Sequence, residues 1–568
     1  MTRQRSNVIV ISLVLLWAAA GPALAGEQQE EVAGIPAEEA LRLGERMYRE
    51  GILPSGEPMM ALVSEDIEIE GTMFSCESCH LRSGRGSIEG TVITLPTCAS
   101  WLYKPLVGRE MRPESESRLP DRLNPPPFRK AYTDKLVARA IWVGKDPDGR
   151  EFNWVMPRYK LSTRNMEILV HYLKNLSAVY SPGVDDTTIR FATVVSHDVS
   201  PTDRDALLQT LQAIVRDRNS QNRHDERRAR SGPFNMEELY NPYRRYSLSV
   251  WELEGEPSTW SAQLEDYYRD APVFALLGGI TNGEWAPIHD FCERFRIPSL
   301  FPITDYPVVS DSDWYTLYFS KGYYQEGETA ARFLSRTDAV AKDVPVVQVL
   351  RDSSAGRDAA AGFIAARSSR GLPAPTVIEV EPGRTIDRGF WSQLAADNPG
   401  AALVLWLEPG DLHDIAALTS VEPRPAAVIV SASLIGDMPA TLPSEVRPFT
   451  FITYPHSLPE DVGRSRLAVK SWLRAKGLPV TNFEIQAKGY FLGWMLAATV
   501  KLMRDDFYRD YFLDVMDMMR DEYYSVGAIY PRLSFGPGQR YASKGCYVVQ
   551  LDDGDPPKLV KRSEWVVH

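Results

Sequence analysis

From Arg190 onward, short runs of β-branched and aliphatic residues alternate with helix-length stretches at intervals of about 25 residues, and nothing else in the chain restricts its fold as strongly. Runs that are apolar at almost every position, such as Ala402 to Leu407 and Ala427 to Ser431, have no polar face to offer water. They suit a parallel sheet covered by helices on both sides. Strands are predicted at Phe191 to Val195, Tyr246 to Val250, Val273 to Leu277, Val346 to Leu350, Thr376 to Val380, Ala402 to Leu407, Ala427 to Ser431 and Phe449 to Thr453. These are too many for one small lobe. The polar stretch Ser335 to Asp343 interrupts the series, so the region reads as two α/β lobes, with the helices after Phe483 returning to the first.

The text before Ser181-Pro182-Gly183 has a helical period instead. Ala40, Leu43, Gly44, Met47 and Tyr48 recur with the spacing of one buried stripe. A last helix starts at Ser162, an N-cap residue type, and turns Met166, Leu169, Tyr172, Leu173 and Leu176 inward. Gly44 would let these two helices cross closely. A small all-α unit follows from this pattern, with a long Pro- and Arg-containing connection from Arg112 to Phe128.

Ahead of it, Arg3 and Arg5, the apolar run Val8 to Ala20 and the small residues of Ala23-Leu24-Ala25 form the pattern of a signal peptide cut before Gly26. No later stretch supplies the roughly 20 apolar residues of a membrane helix, so a soluble, exported, periplasmic protein is expected. The plan is a signal peptide at 1–25, a helical domain at 26–180, a linker at 181–189 and a two-lobed module at 190–568. The formal charge of −12 speaks against nucleic acid as a partner. The basic stretch Arg223 to Arg230 is the local exception and reads as a solvated loop. Five cysteines are too few for a disulfide-built scaffold of this length. Cys98, Cys292 and Cys546 stand apart from the other two; being odd in number, at least one is unpaired within the chain, and Cys292 to Cys546 is one pairing the sequence allows.

The other two lie in Cys76-Glu77-Ser78-Cys79-His80. Cys-x-x-Cys-His attaches haem because two thiols add to the porphyrin vinyl groups while the adjoining imidazole binds the iron. A structural zinc would need four ligands, and no second pair with suitable spacing is present. A redox dithiol belongs in a βαβ unit, which this region is not. One covalent haem c is the expectation, with His80 as an axial iron ligand.

With this motif after the first helix and Val155-Met156-Pro157-Arg158-Tyr159 before the last, residues 37–176 resemble a class I cytochrome c. The resemblance implies Met156 as the sixth, metal-binding ligand, with Met73 and Met111 as alternatives. It also implies a proline carbonyl that accepts the imidazole's second N–H, for which Pro96 is the nearest match. A His/Met-ligated iron has no easily vacated position, so electron transfer is expected rather than catalysis.

The region from about 190 to 550 resembles a type I periplasmic solute-binding protein, the group of receptors for branched-chain amino acids and amides. Its most telling stretch is Val273-Phe274-Ala275-Leu276-Leu277-Gly278-Gly279-Ile280-Thr281-Asn282-Gly283, a strand, a glycine loop and a helix start. The resemblance implies ligand contacts at Thr281 and Asn282, then at Thr304 and Asp305. Ser353 and Ser354 follow another strand, and Tyr454 ends a further one, where open α/β sheets place ligands. Such receptors close two lobes about a hinge. The charged segment Ser220 to Arg245 departs from the usual glycine-rich connection.

Two functional readings follow. In the first, a monohaem electron carrier exchanges electrons with a periplasmic redox partner such as a dehydrogenase, and the second module recognises a solute or partner. In the second, the chain is a solute-binding receptor of the ABC-transporter type, or a redox-linked sensor, and its haem is regulatory. An enzymatic reading would require a vacant sixth position, against which Met156 argues.

Overall fold

The computed structural model describes residues 30–64, 66–89, 92–106, 129–230, 243–341, 343–381, 383–519, 529–536 and 538–567. Residues 1–25, Met111 and the connection from Arg112 to Phe128 lie outside them. The chain divides into two compact units, residues 1–76 with 129–175 and residues 77–128 with 176–568. The division falls inside the short helix Cys76–His80, well before the boundary expected near residue 180.

In the smaller unit, helix Ala37–Glu50 buries the predicted stripe of Ala40, Leu43, Gly44, Met47 and Tyr48. It packs against Thr163–Asn175, whose start is held by Ser162 Oγ accepting from the Asn165 amide at 3.2 Å. The Tyr48 and Tyr172 rings lie 5.4 Å apart. The unit is not all-α, however. Met60–Val63 pairs antiparallel with both Ile67–Glu70 and Arg158–Tyr159. The strict alternation of Ile67-Glu68-Ile69-Glu70 is the period-two signal of a strand, and a turn containing Ser64 at φ +53° folds it back on its neighbour.

The larger unit holds two parallel α/β sheets. In the first lobe the order is Thr316–Leu317, Ser299–Leu300, Ala275–Leu277, Thr188–Ser196, Arg245–Leu253, all parallel. The second runs Thr376–Val380, Val346–Arg351, Ala402–Trp406, Ala427–Ser431, Thr450–Tyr454, continued by antiparallel Gly545–Leu551 and Leu559–Lys561. Every predicted strand is present within a few residues of its expected limits.

Each sheet is covered on both faces. In the first lobe Leu207, Leu211, Phe491 and Met495 pack on one side and Trp260, Leu264, Ile288 and Phe291 on the other. In the second lobe Trp391, Leu394 and Leu412 oppose Phe333, Ala359 and Phe363. Helices Phe483–Met503 and Arg509–Met518 belong to the first lobe, as their sequence position after Phe483 implied. Buried Arg509 donates to the carbonyls of Phe274, Phe295 and Arg296, tying one end of that lobe together.

Two expectations are corrected. Arg223 to Arg230 continues the helix Pro201–Arg230 instead of forming a loop, because nothing in Arg216 to Arg230 breaks a helix. Cys292 and Cys546 are unbridged, buried thiols in different lobes, both raised in pKa by burial.

The segment after the motif belongs to the larger unit. Ser83 is buried and its amide donates to Asp514 at 2.9 Å. Arg82 lies 4.4 Å from the Trp314 ring centroid, and Arg85 pairs with Asp506 while stacking between Trp101 and Tyr511 at 4.7 and 5.3 Å.

A Cβ at Gly44 would stand 2.5 Å from Tyr172 Cβ and 2.8 Å from the Ile168 carbonyl oxygen. Gly44→Ala is therefore expected to cost about 1–3 kcal/mol by forcing the two helices apart, measured as a lowered unfolding transition of the smaller unit.

Candidate functional site

In both lobes the earliest strand of the sheet is internal and its two successors in sequence lie on opposite sides of it. The loops leaving neighbouring strands therefore diverge at the carboxyl ends, and a crevice opens there. A cavity of about 470 Å³ occupies this position, lined by Ile280, Thr281, Asn282, Gly283 and Glu284, by Ile303, Thr304, Asp305 and Tyr306, by Ser354, and by Asn482, Glu484, Ile485 and Lys488.

Five of the predicted residues meet in it: Thr281, Asn282, Thr304, Asp305 and Ser354. The loop bearing the first two turns on Gly278 at φ +59° and Gly279 at φ +100°, and a Cβ on Gly279 would stand 2.6 Å from the buried Trp285 ring. Glycine is required at that turn. Asn282 is held by its amide donating to Ser196 Oγ at 3.3 Å, and Thr281 Oγ1 donates to the Gly283 carbonyl at 3.2 Å. Thr304 Oγ1 accepts from the Tyr306 amide at 3.0 Å. From the second lobe, Ser354 Oγ reaches Glu284 Oε1 at 3.4 Å.

Ser353 and Tyr454 are not among the lining residues. Ser353 is spent as the N-cap of helix Ser354–Ser368, accepting from the Gly356 amide at 3.1 Å. Tyr454 packs edge-on against His456, with ring centroids 5.8 Å apart.

The sequence reading missed the wall supplied by Asn482, Glu484 and Lys488. Its signal was available: Lys488 is the only charged residue between Ile485 and Val500 in an otherwise apolar helix, and Glu484 lies one turn before it. Lys488 Nζ contacts Glu484 Oε1 at 2.7 Å, with the lysine side chain 7% exposed and the glutamate 47%. Burial disfavours the ammonium, but Tyr530, Glu484 and Asp305 outweigh it and raise the Lys488 pKa. The Lys488 charge in turn pulls Glu484 down to about 2, against its burial. His456, buried alongside, is shifted downward mainly by desolvation.

A carboxylate with a depressed pKa contributes stability that is present above its unfolded value and lost as pH falls through the folded one. For Glu484 that window runs from 4.5 down to about 2. Glu484→Gln is expected to be less stable than the wild type above pH 4.5, the difference closing as acid protonates Glu484. Denaturant unfolding across this range checks it.

The second cluster of predicted residues follows the motif. Cys76 and Cys79 are half-buried and three positions apart on the helix Cys76–His80, a spacing that sets them on one face. His80 Nδ1 donates to the Leu95 carbonyl at 2.8 Å, so the partner is the residue before Pro96 and not Pro96 itself. Turns at Leu81, Gly84 and Gly86, all at positive φ, carry the chain back towards the helix, where Gly86 N donates to the His80 carbonyl at 3.0 Å. That return brings the Leu95 carbonyl within reach of the ring. Burial pushes the His80 pKa down to about 4 despite that hydrogen bond, keeping the imidazole neutral. Met156 is half-buried, its amide donating to the Asn153 carbonyl at 3.1 Å, whereas Met73 is 72% exposed.

Two parallel α/β lobes with a polar cavity at their carboxyl ends define a solute-binding architecture. A family model described as periplasmic binding protein matches residues 245–556, more than half of the chain, and the chain belongs to that family. Similar solved structures include a branched chain amino acid ABC transporter from Thermus thermophilus with bound valine, at 14% identity and TM-score 0.45, covering 68% of this chain and 98% of that one. A fatty acid ABC transporter substrate-binding protein from Thermomonospora curvata is 14% identical with TM-score 0.43, covering 69% and 95%. A leucine binding protein from Thermotoga maritima is 12% identical with TM-score 0.42, covering 66% and 98%. No curated protein matches the chain. Among the described residues no helix is long and apolar enough to cross a membrane.

Proposed function

We propose that this chain is a periplasmic receptor for a small polar solute, which it binds between its two lobes at Thr281, Asn282, Thr304, Asp305 and Ser354. The observation that carries the reading is the cavity of about 470 Å³ where loops from both lobes converge. Its size suits a metabolite, and its hydroxyl, amide and carboxylate groups suit a polar one. The 3.4 Å approach of Ser354 to Glu284 spans the lobes, so a solute seated there touches both and favours their closed arrangement.

A haem c bonded to Cys76 and Cys79, with His80 and Met156 as axial ligands, is the second element of the proposal. Its support is the donor set: two cysteines on one helical face, and an imidazole whose Nδ1 is committed to the Leu95 carbonyl, leaving Nε2 as its metal-binding atom. The Leu95 hydrogen bond fixes the ring's tautomer and orientation, and burial keeps it unprotonated. When bound, such a haem supplies one-electron chemistry. Electron exchange with a periplasmic partner such as a dehydrogenase is the second reading of the whole chain, favoured by the motif, while the family and the cleft favour the receptor.

Purified full-length protein is expected to show a concentration-dependent rise in melting temperature with at least one solute in a panel of amino acids, amines, carboxylates and amides. Thr281→Ala should reduce it, weakening binding by about 0.5–1.5 kcal/mol. A flat response to the whole panel would count against a receptor. Co-expressed with a haem-attachment system, the wild type is expected to carry covalent haem on a denaturing gel, lost in the Cys76→Ala and Cys79→Ala variants. Met156→Ala should retain the haem and lower its midpoint potential in a redox titration.

A further inference from the structure

The charge of the cavity wall restricts what can sit in it. Glu284, Asp305 and Glu484 line it, with Lys488 as the one basic residue in the lining among the described residues. Glu484 and Lys488 neutralise each other at 2.7 Å. Glu284 and Asp305 are in excess of that pair; Asp305 also acts on Lys488 from nearby, but both are exposed at the crevice and among the described residues neither forms an ion pair, the hydrogen-bonding contact of Glu284 being the neutral Ser354 hydroxyl at 3.4 Å.

The second lobe adds the same sign. Asp358, four residues beyond Ser354 on helix Ser354–Ser368, lies close enough to Glu284 for that carboxylate, after burial, to raise its pKa. Glu408 acts together with Asp305 and Asp358 on Tyr306. Tyr306 pairs with Tyr323 at a ring separation of 5.5 Å, giving an electron-rich aromatic surface beside Asp305. Bringing the lobes together thus sets carboxylates against carboxylates. A ligand of positive charge between them turns that repulsion into attraction, and a carboxylate ligand adds to it. A zwitterion answers only one of the two leftover acids with its single ammonium. Aromatic faces near the cavity also favour an organic cation.

We propose that the solute bound in this cleft is a small organic dication of the diamine class, with Glu284 and Asp305 each receiving one cationic centre and the Tyr306–Tyr323 pair flanking it. This deepens the receptor reading above and rests on it. Thr281, Asn282 and Ser354 then serve as hydrogen-bond partners of the ligand's N–H groups through their oxygens. The Lys488–Glu484 pair acts as a neutral floor.

The test is isothermal titration of the full-length protein with three probes: 1,4-diaminobutane, valine and glutarate. The diamine is expected to bind about tenfold or more tightly than valine, with glutarate the weakest. Diamine affinity should fall as salt is raised, a readout on the wild type that needs no variant to fold. Glu284→Gln and Asp305→Asn are each expected to weaken the diamine about tenfold and to leave valine less affected. Tighter binding of valine or glutarate, or diamine affinity indifferent to salt and to both substitutions, overturns the assignment of ligand charge and leaves a receptor for another solute. A solute from the wider panel that binds while the diamine does not has the same effect. Silence from all three probes and from the panel overturns the receptor reading along with it.

Discussion

Everything in the larger unit depends on where each sheet begins. In both lobes the chain lays down an internal strand first and then builds outward on either side, Thr188–Ser196 in one and Val346–Arg351 in the other. Crossover connections then cover both faces with helices, which is why strands such as Ala402–Trp406 are buried at every position. The same order leaves one place per sheet where consecutive loops diverge, and those two places contribute the residues of one cavity. Packing and recognition are consequences of a single topological choice.

The cleft is also shaped by a helix that arrives late in the chain. Phe483–Met503 is apolar because it fills the first lobe's core with Phe491, Leu492 and Met495, yet its N-cap and first two turns reach the cavity with Asn482, Glu484 and Lys488. A lysine this deeply buried would be costly alone. Glu484 one turn earlier and the Phe319 and Tyr530 rings at 5.8 and 5.7 Å offset that cost.

The fold of the two lobes was legible because runs with no polar face admit few alternatives, and the strand limits fell within a few residues. The loops that line the cavity were legible for a related reason: Gly278-Gly279 after an apolar run marks a strand end that must turn sharply. Ser353 and Tyr454 lie outside the cavity lining because position at a strand end does not say whether a side chain turns toward solvent, a cap or a ring. The lysine wall escaped because a long apolar helix advertises core, and only Glu484 and Lys488 near its start betray the exception. Leu95 rather than Pro96 accepts from His80 because turns at positive φ set the register of the return loop, and residue types alone do not. In the smaller unit, helix periodicity was so strong that the short alternation at Ile67 to Glu70 went unread as a strand.

The contacts of Ser83 and Arg85 bear on how such a chain could have come about. Had the residues after the motif packed only among themselves, the rest of the larger unit could be cut free near residue 180. Instead the Ser83 amide satisfies the buried Asp514, and Arg85 fills the space between Trp101 and Tyr511 while facing Asp506. Removing that stretch would strand a carboxylate in the interior of the first lobe. The stretch after the motif is part of the larger unit's foundation, and that unit cannot now be inherited, or borrowed by a protein engineer, without it.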